Sequence, residues 1–475
     1  MKNNTLRVFA ASLALLAAAP LTAAEPTPAD PPAEKTEKAA ERFDLTPAVK
    51  SGDVSQVTVK LEAGGELIVA DSEGEEQRLP MSVAADLAYA EQIVHWSTAA
   101  DERAVSLRRY KTADATLKSD KQGTRRTLPG DARDLTAVLA GEQFVVNRAA
   151  GETPLTREQV DLLDVTGNTL ALDRLLPSRQ LAVGDNWEHA PETIAALLGL
   201  DHVGVCDVNS VVTGVENSQV QLRLAGTVRG TVAGAATEIE LRAAYLFHQK
   251  HGRITKFNLA VKENRKRGEV GPGLDVTAKL TLVVRPAAAE QTPFDAAAVT
   301  AAADVDATAI SRVLVDASRQ GYRFQHSAGW FVTAEQAELL SLRLLRGGDL
   351  LAHCNVTTLP ARSAENAATL DQYKADVKQS LGENIESIAA SEEWITPQGN
   401  RCLAVFANGK VKEVPVQWRY YLISTDGLPQ ASVAVTIEQD RLDEFADADR
   451  MLIDSLELLK PIPKTAVLPD RPMRR

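Results

Sequence analysis

Apolar and polar residues alternate with a period of two over much of the chain between residues 44 and 286. Val57, Val59 and Leu61 are separated by polar residues, Gly64-Gly65 follows, and Leu67 and Val69 resume the alternation, which predicts a hairpin turning at the two glycines. Val220, Leu222 and Leu224 alternate likewise, as do Ile239, Leu241, Ala243, Tyr245 and Phe247, residues 254–261 and residues 274–284. Successive strand side chains point to opposite faces, so this spacing marks strands that hide one face. Helical interruptions are brief. Thr156 and Gln159 have the spacing of a capping box ahead of Val160 and Leu163, and Pro191 opens a short run to Leu200. The economical reading of 44–286 is one large antiparallel sheet, curved or partly closed.

The pattern is mixed over 320–460. Tyr322-Arg323-Phe324 reads as a strand, and residues 340–345 and 350–356 flank Gly347-Gly348 as a hairpin. Leu370, Tyr373, Val377 and Leu381 follow at helical spacing, with Gly382 where a helix-ending glycine belongs. Strands are expected over 385–395, 402–407 and 411–424, with Asn408-Gly409 as the turn between the last two. Asp426-Gly427 marks the next turn, before 431–437. A closing helix would place Leu442, Phe445, Leu452 and Leu456 on one side.

That order of hairpin, helix, meander of long strands and terminal helix is similar to the PsbP-like α/β sandwich. The family includes the extrinsic photosystem subunit and DcrB-type bacterial envelope proteins. The residues that carry the likeness are Gly329-Trp330, the helix 370–381, Trp394, the segment 414–421 (VPVQWRYY) and the closing stretch 451–456. The resemblance covers under a third of the chain and implies a non-catalytic binding or assembly role. Residues 44–286 resemble exported bacterial proteins that bring no chemistry with them. The fold class expected is therefore mainly β plus α+β: a curved or partly closed antiparallel sheet domain, then a PsbP-like sandwich.

The ends and joints differ in composition. Lys2 and Arg7 precede an apolar run from Val8 to Leu21, and Thr22-Ala23-Ala24 supplies small residues, the three parts of a secretory signal peptide over 1–24. The run is shorter than the roughly 20 residues that cross a bilayer, and no later stretch is apolar enough to span, so no membrane span is expected after cleavage. Residues 25–43 are rich in Pro, Ala and Glu and read as a disordered spacer. Residues 287–319 are Ala-rich and core-poor and read as the linker between domains 44–286 and 320–460; 461–475 reads as a frayed tail.

The net charge is −12, and removal of Lys2 and Arg7 with the signal makes it −14. An acidic surface repels phosphate backbones and anionic lipid heads, which argues against a nucleic-acid partner. Three cysteines are too few for a disulfide scaffold. Cys354 and Cys402 each fall on an expected strand of the second domain; they read as two buried free thiols or as one disulfide.

Candidate chemistry is sparse. His248 and His251 have a metal-like spacing, but they sit at a strand end running into Gly252 with no Cys or carboxylate nearby, so a solvated turn outweighs a zinc site. Glycine recurs at 226, 230 and 234, but the next segment, 237–247, reads as strand rather than helix, so relief of curvature outweighs a phosphate cradle. Lys262, Arg265, Lys266 and Arg267 form a basic cluster that reads either as a contact patch for anionic lipid heads or an acidic partner, or as a charged hairpin tip. Trp330, Trp394 and Trp418 read as core. No cofactor and no metal is called for.

The leading expectation is an exported, periplasmic or secreted protein, not an enzyme, that binds a protein or another envelope component. One alternative is a carrier that holds a lipid or other apolar ligand against the concave face of the sheet. Another is a hydrolase whose carboxylates converge only in the fold.

Overall fold

The computed structural model describes residues 41–461, apart from 72–73, 98–101, 121 and 150. The expected signal peptide (1–24), most of the expected spacer (25–43) and the tail beyond Pro461 lie outside the described residues.

The first module runs β1 (Arg42–Asp44), β2 (Val54–Ala70), β3 (Glu76–His95), β4 (Ala104–Ser119), β5 (Gln122–Thr127), β6 (Asp134–Ala140) and β7 (Gln143–Asn147). A helical stretch follows: α1 (Arg157–Leu163), α2 (Thr169–Leu172), β8 (Gln180–Ala182), β9 (Asn186–Glu188) and α3 (Pro191–Leu198). Five long strands complete it: β10 (His202–Glu216), β11 (Gln219–Val232), β12 (Ala235–His248), β13 (Arg253–Arg265) and β14 (Gly273–Ala287). Twelve of these strands form one antiparallel sheet in the order β7-β6-β4-β3-β2-β14-β13-β12-β11-β10-β9, with β5 on β4. The alternation expected from sequence is visible in β12, where buried and exposed residues take turns from Ala235 onward.

Geometry requires this sheet to curl. From β4 to β10 is seven strand steps, roughly 34 Å if the sheet were flat. Yet α2 packs against β4 and β6, α3 packs against β10, and the two helices touch each other. Helices of four and eight residues reach only about 6 and 12 Å. One apolar cluster accordingly joins side chains of β2, β3 and β4, of β11 to β14, and of the three helices. The mainly β class with an unclosed curved sheet holds.

Several local expectations fail for identifiable reasons. Gly64-Gly65 is no turn: β2 passes straight through it, and the chain reverses after Ala70. A Cβ at Gly65 would lie 2.2 Å from the Asp275 carbonyl oxygen of β14, so the glycine serves a close strand approach. Gly226 and Gly230 on β11 do the same toward β10, where a Cβ would meet the carbonyl oxygens of Asp207 at 1.9 Å and His202 at 2.3 Å. The spacer read as 25–43 ends in structure, since Arg42–Asp44 pairs with β8. The Ala-rich stretch 287–319 is not core-poor. It forms α4 (Ala296–Ala303), α5 (Ala307–Ile310) and β15 (Val313–Ala317), and buries Ala302, Val305 and Ile310 against Val94, Val105, Leu107 and Val138. Small alanine side chains suffice there because the helix lies close on the sheet.

The second module continues with β16 (Tyr322–His326), β17 (Trp330–Glu335), β18 (Leu339–Arg346), β19 (Asp349–Leu359), α6 (Leu370–Leu381), β20 (Ile385–Ile395), β21 (Arg401–Val411), β22 (Val414–Ser424), β23 (Gln430–Glu438), α7 (Leu442–Phe445), α8 (Arg450–Asp454) and β24 (Glu457–Leu458). Its seven-stranded sheet, β17-β18-β19-β23-β22-β21-β20, has α6 on one face through Tyr373, Val377 and Leu381. The other face packs on α7, α8 and the small sheet β15-β16-β24 through Trp330, Phe324, Phe445 and Ile453. Asn408-Gly409 is likewise no turn. β21 runs on to Val411, and the reversal falls at Lys412-Glu413, both with positive φ. A Cβ at Gly409 would meet the Asn384 carbonyl oxygen at 2.0 Å. The single closing helix is two, broken at Ala446, whose φ is +49°. Trp330 and Trp418 are buried, and Trp394 packs at the margin of the core.

The modules are joined by side chains as well as by chain. Asn147 of β7 donates to the carbonyls of Ile310 and Arg312 and accepts from the Arg148 and Leu155 amides. Arg157 of α1 lies over the Phe331 ring at 5.4 Å, and Arg343 bonds Glu269 at 2.6 Å. Among the described residues no helix is long and apolar enough to cross a membrane.

Candidate functional site

The candidate site lies between the concave face and the helices that fill it. The expected capping box starts α1: Thr156 caps the helix, and its amide donates to Gln159 Oε1 at 2.9 Å. Pro191 stands at the first turn of α3, and Gly199 ends it in the left-handed conformation at φ +68°. Between them Asn168 caps α2, accepting from the Leu170 amide at 3.0 Å. These local signals set three short helices across the sheet.

Two adjoining cavities remain there. The larger, about 60 Å³, is walled by Leu61, Val83, Ala85 and Leu117 of the sheet and Leu162, Val165 and Leu197 of the helical stretch. Arg126, Asp161, Asp164 and Asn168 add polar groups to its lining. The smaller, about 10 Å³, lies among Tyr89, Arg108, Tyr110, Phe144 and Asn168.

Four polar side chains interrupt the apolar alternation of β3 and β4. Tyr89 stands opposite Tyr110 and Glu91 opposite Arg108 in the strand register. Glu91 Oε1 accepts from Ser106 Oγ at 2.9 Å, Arg108 Nε at 3.0 Å and Thr169 Oγ1 at 2.7 Å. Arg108 Nη2 donates to Asn168 Oδ1 and Thr169 Oγ1, both at 2.9 Å. Its guanidinium is sandwiched between the Tyr89 and Phe144 rings, 5.1 Å from each. Burial raises both tyrosine hydroxyls above their ordinary range and keeps them protonated. A second tie holds the other end: Asp173 accepts from the Ile254 amide at 2.7 Å and pairs with Arg253 at 3.4 Å, and Arg253 donates to Ser55. Burial raises the Asp173 carboxyl, opposed by Arg253.

The network is incompletely satisfied. Glu91 Oε2, Asn168 Nδ2 and Arg126 Nε are buried without a hydrogen-bond partner. Buried polar atoms are nearly always paired, so each exception needs an explanation. Sequence reasoning missed these residues. The available signal was a Glu and an Arg at inward positions of otherwise apolar strands, where a charge is costly unless paired.

The residues singled out from sequence lie elsewhere. Lys262 is exposed on β13, Lys266 and Arg267 are exposed at the β13–β14 turn, and Arg265 is held at 2.5 Å by Glu263. The His248 and His251 rings lie 4.4 Å apart, tilted by 54°, at the β12–β13 turn, and no metal-holding group of three ligands occurs among the described residues. Cys354 and Cys402 are free and buried in β19 and β21, two strands of the sheet with β23 and β22 between them. That is about 14 Å at the usual strand spacing, too far for a disulfide. Burial pushes the Cys402 thiol up to about 12 and Cys354 also upward, so both stay protonated. Ser210 Oγ lies 2.7 Å from both His189 Nε2 and the Tyr245 hydroxyl, but the three are buried and line neither cavity.

No family model matches the chain, and no curated protein matches it. Among solved structures it is similar to cyanobacterial PsbP (CyanoP) from Synechocystis sp. PCC 6803, at 14% identity over 31% of this chain and 92% of that one, with a TM-score of 0.24. A protein of unknown function, PA94 from Pseudomonas aeruginosa, matches at 12% identity over 30% and 92%, TM-score 0.21. Lipovitellin matches at 12% identity over 50% of this chain and 26% of its own, TM-score 0.26. All three likenesses are slight.

Proposed function

We propose that the chain is an exported, non-enzymatic binding protein whose curved domain takes the apolar part of a ligand between the sheet and helices α1–α3. The carrying observation is the mainly apolar, partly open cavity of about 60 Å³ between those helices and the concave face. Its volume is that of a few water molecules, whereas ligand pockets commonly measure about 300–1,000 Å³, so loading requires the helices to shift. They suit that role. Helices of seven, four and eight residues have little stability of their own, while the long strands form a continuous scaffold. The signal-like residues 1–24 support export to the periplasm or beyond. The layer order of 320–460 supports a PsbP-like sandwich that meets an envelope partner while the curved domain holds the ligand. No reaction is assigned.

Titration of the full chain with the neutral apolar dye N-phenyl-1-naphthylamine tests the reading. It predicts a saturable fluorescence gain at one dye per chain, competed by an extracted lipid mixture. A response no larger than that of an unrelated folded protein would reject it.

A further inference from the structure

The polar groups left over in the cleft are of one kind. Asn168 Oδ1 already accepts from the Leu170 amide and from Arg108, which fixes the amide's orientation and leaves Nδ2 as a donor. Nδ2 has no partner, the residue is 6% exposed, and it lines both cavities. Arg126 lines the larger cavity with Nε buried and unpartnered, its Nη2 being held by Glu158 at 2.9 Å. Tyr110 brings its hydroxyl to the smaller one, where it lies against the Arg108 guanidinium. Glu91 Oε2, the orphan acceptor of the network, lines neither cavity. Both carboxylates in the lining, Asp161 and Asp164, are engaged within the protein, Asp161 by Arg157 at 2.8 Å.

A ligand that satisfied these groups would bring acceptor oxygens on an apolar body. We infer that the ligand is an amphiphile with an anionic oxygen head, a carboxylate or phosphate on a hydrocarbon chain. Its head accepts from Asn168 Nδ2 and Arg126 Nε, and its chain lies along Leu61, Val83, Ala85 and Leu117. Donors without acceptors in a partly buried cleft favour such a head over a neutral or cationic one. This inference rests on the cleft reading above.

Displacement of N-phenyl-1-naphthylamine from the full chain by oleate, oleyl alcohol and monododecyl phosphate separates the two. The inference predicts that oleate, the phosphate or both displace the dye at least tenfold more effectively than the alcohol. Whichever anion does so identifies the head. Asn168→Asp keeps the acceptor for Leu170 and Arg108 but replaces the free donor with an oxygen, and should remove the preference; Arg126→Gln, at a less buried position, should reduce it several-fold. Equal displacement by alcohol and anions, no displacement by any of them, or an anion preference unchanged in both variants would overturn the head assignment and leave the cleft standing. Failure of the dye to bind removes the cleft and this inference together.

Discussion

Each module holds an arginine between two aromatic rings, and the two sites differ in how completely they are satisfied. In the second module Arg419 lies 5.2 Å from Phe406 and 4.9 Å from Phe445 and bonds Asp449 at 3.2 Å. Asp449 uses both its oxygens, the second accepting from the Tyr421 hydroxyl at 2.6 Å. In the first module Arg108 is held as tightly, yet Glu91 beside it keeps an unpartnered oxygen and Asn168 keeps an unpartnered amide nitrogen at two cavities. A closed network fixes packing; an open one beside empty space is poised to bind. The difference separates a structural cluster from a candidate site without appeal to conservation.

The comparison is broken most forcefully by removing the arginines. Arg419→Ala strands Asp449 and should cost about 3–5 kcal/mol, seen in urea unfolding, with no change in dye affinity at temperatures where the protein stays folded. Arg108→Ala should cost a similar amount, about 3–5 kcal/mol, but should also speed amide exchange in α2, because Asn168 and Thr169 lose their tie to the sheet. If the two variants behave alike in exchange, the distinction fails.

Acid provides the next test. Burial lowers His189 and His326 from 6.5 to about 4. The unfolded chain therefore binds protons that the folded one refuses, so stability is full above pH 6.5 and is lost as pH falls toward 4. Each ring contributes on the order of 3 kcal/mol. His189→Gln and His326→Gln should each flatten the acid limb of a stability-against-pH curve, and an unchanged slope in both would remove this account.

Smaller effects sharpen the picture of the sheet. Gly226→Ala forces a Cβ onto the Asp207 carbonyl and should cost about 1–3 kcal/mol, whereas Gly271→Ala, open to solvent on that side, should cost much less. Thermal denaturation compares them. Thr156→Ala removes the α1 cap and should cost about 1 kcal/mol; its sharper readout is faster exchange over α1.

What was legible in the sequence was whatever depends on periodicity. The alternations at Val220–Leu224 and Ile239–Phe247, the capping box at Thr156 and the helix 370–381 all appear as expected. Glycine was the ambiguous letter. At Gly64-Gly65 and Asn408-Gly409 the signal for a turn and the signal for strands in close approach are the same, and only the neighbouring strand decides between them. The site was illegible for a related reason. Glu91 and Arg108 become partners only when β3 pairs with β4, and Asn168 meets them only when the sheet curls over the helices. Tertiary placement, with no local motif, makes that cluster.

The most direct test of the cleft is hydrogen exchange on the full chain with and without saturating N-phenyl-1-naphthylamine. The account predicts that residues 157–198 exchange faster than β11–β13 in the free protein and slow markedly when the dye is bound, while the second module is unchanged. Helices already as protected as the central strands, and indifferent to the dye, would show them to be fixed core and contradict it.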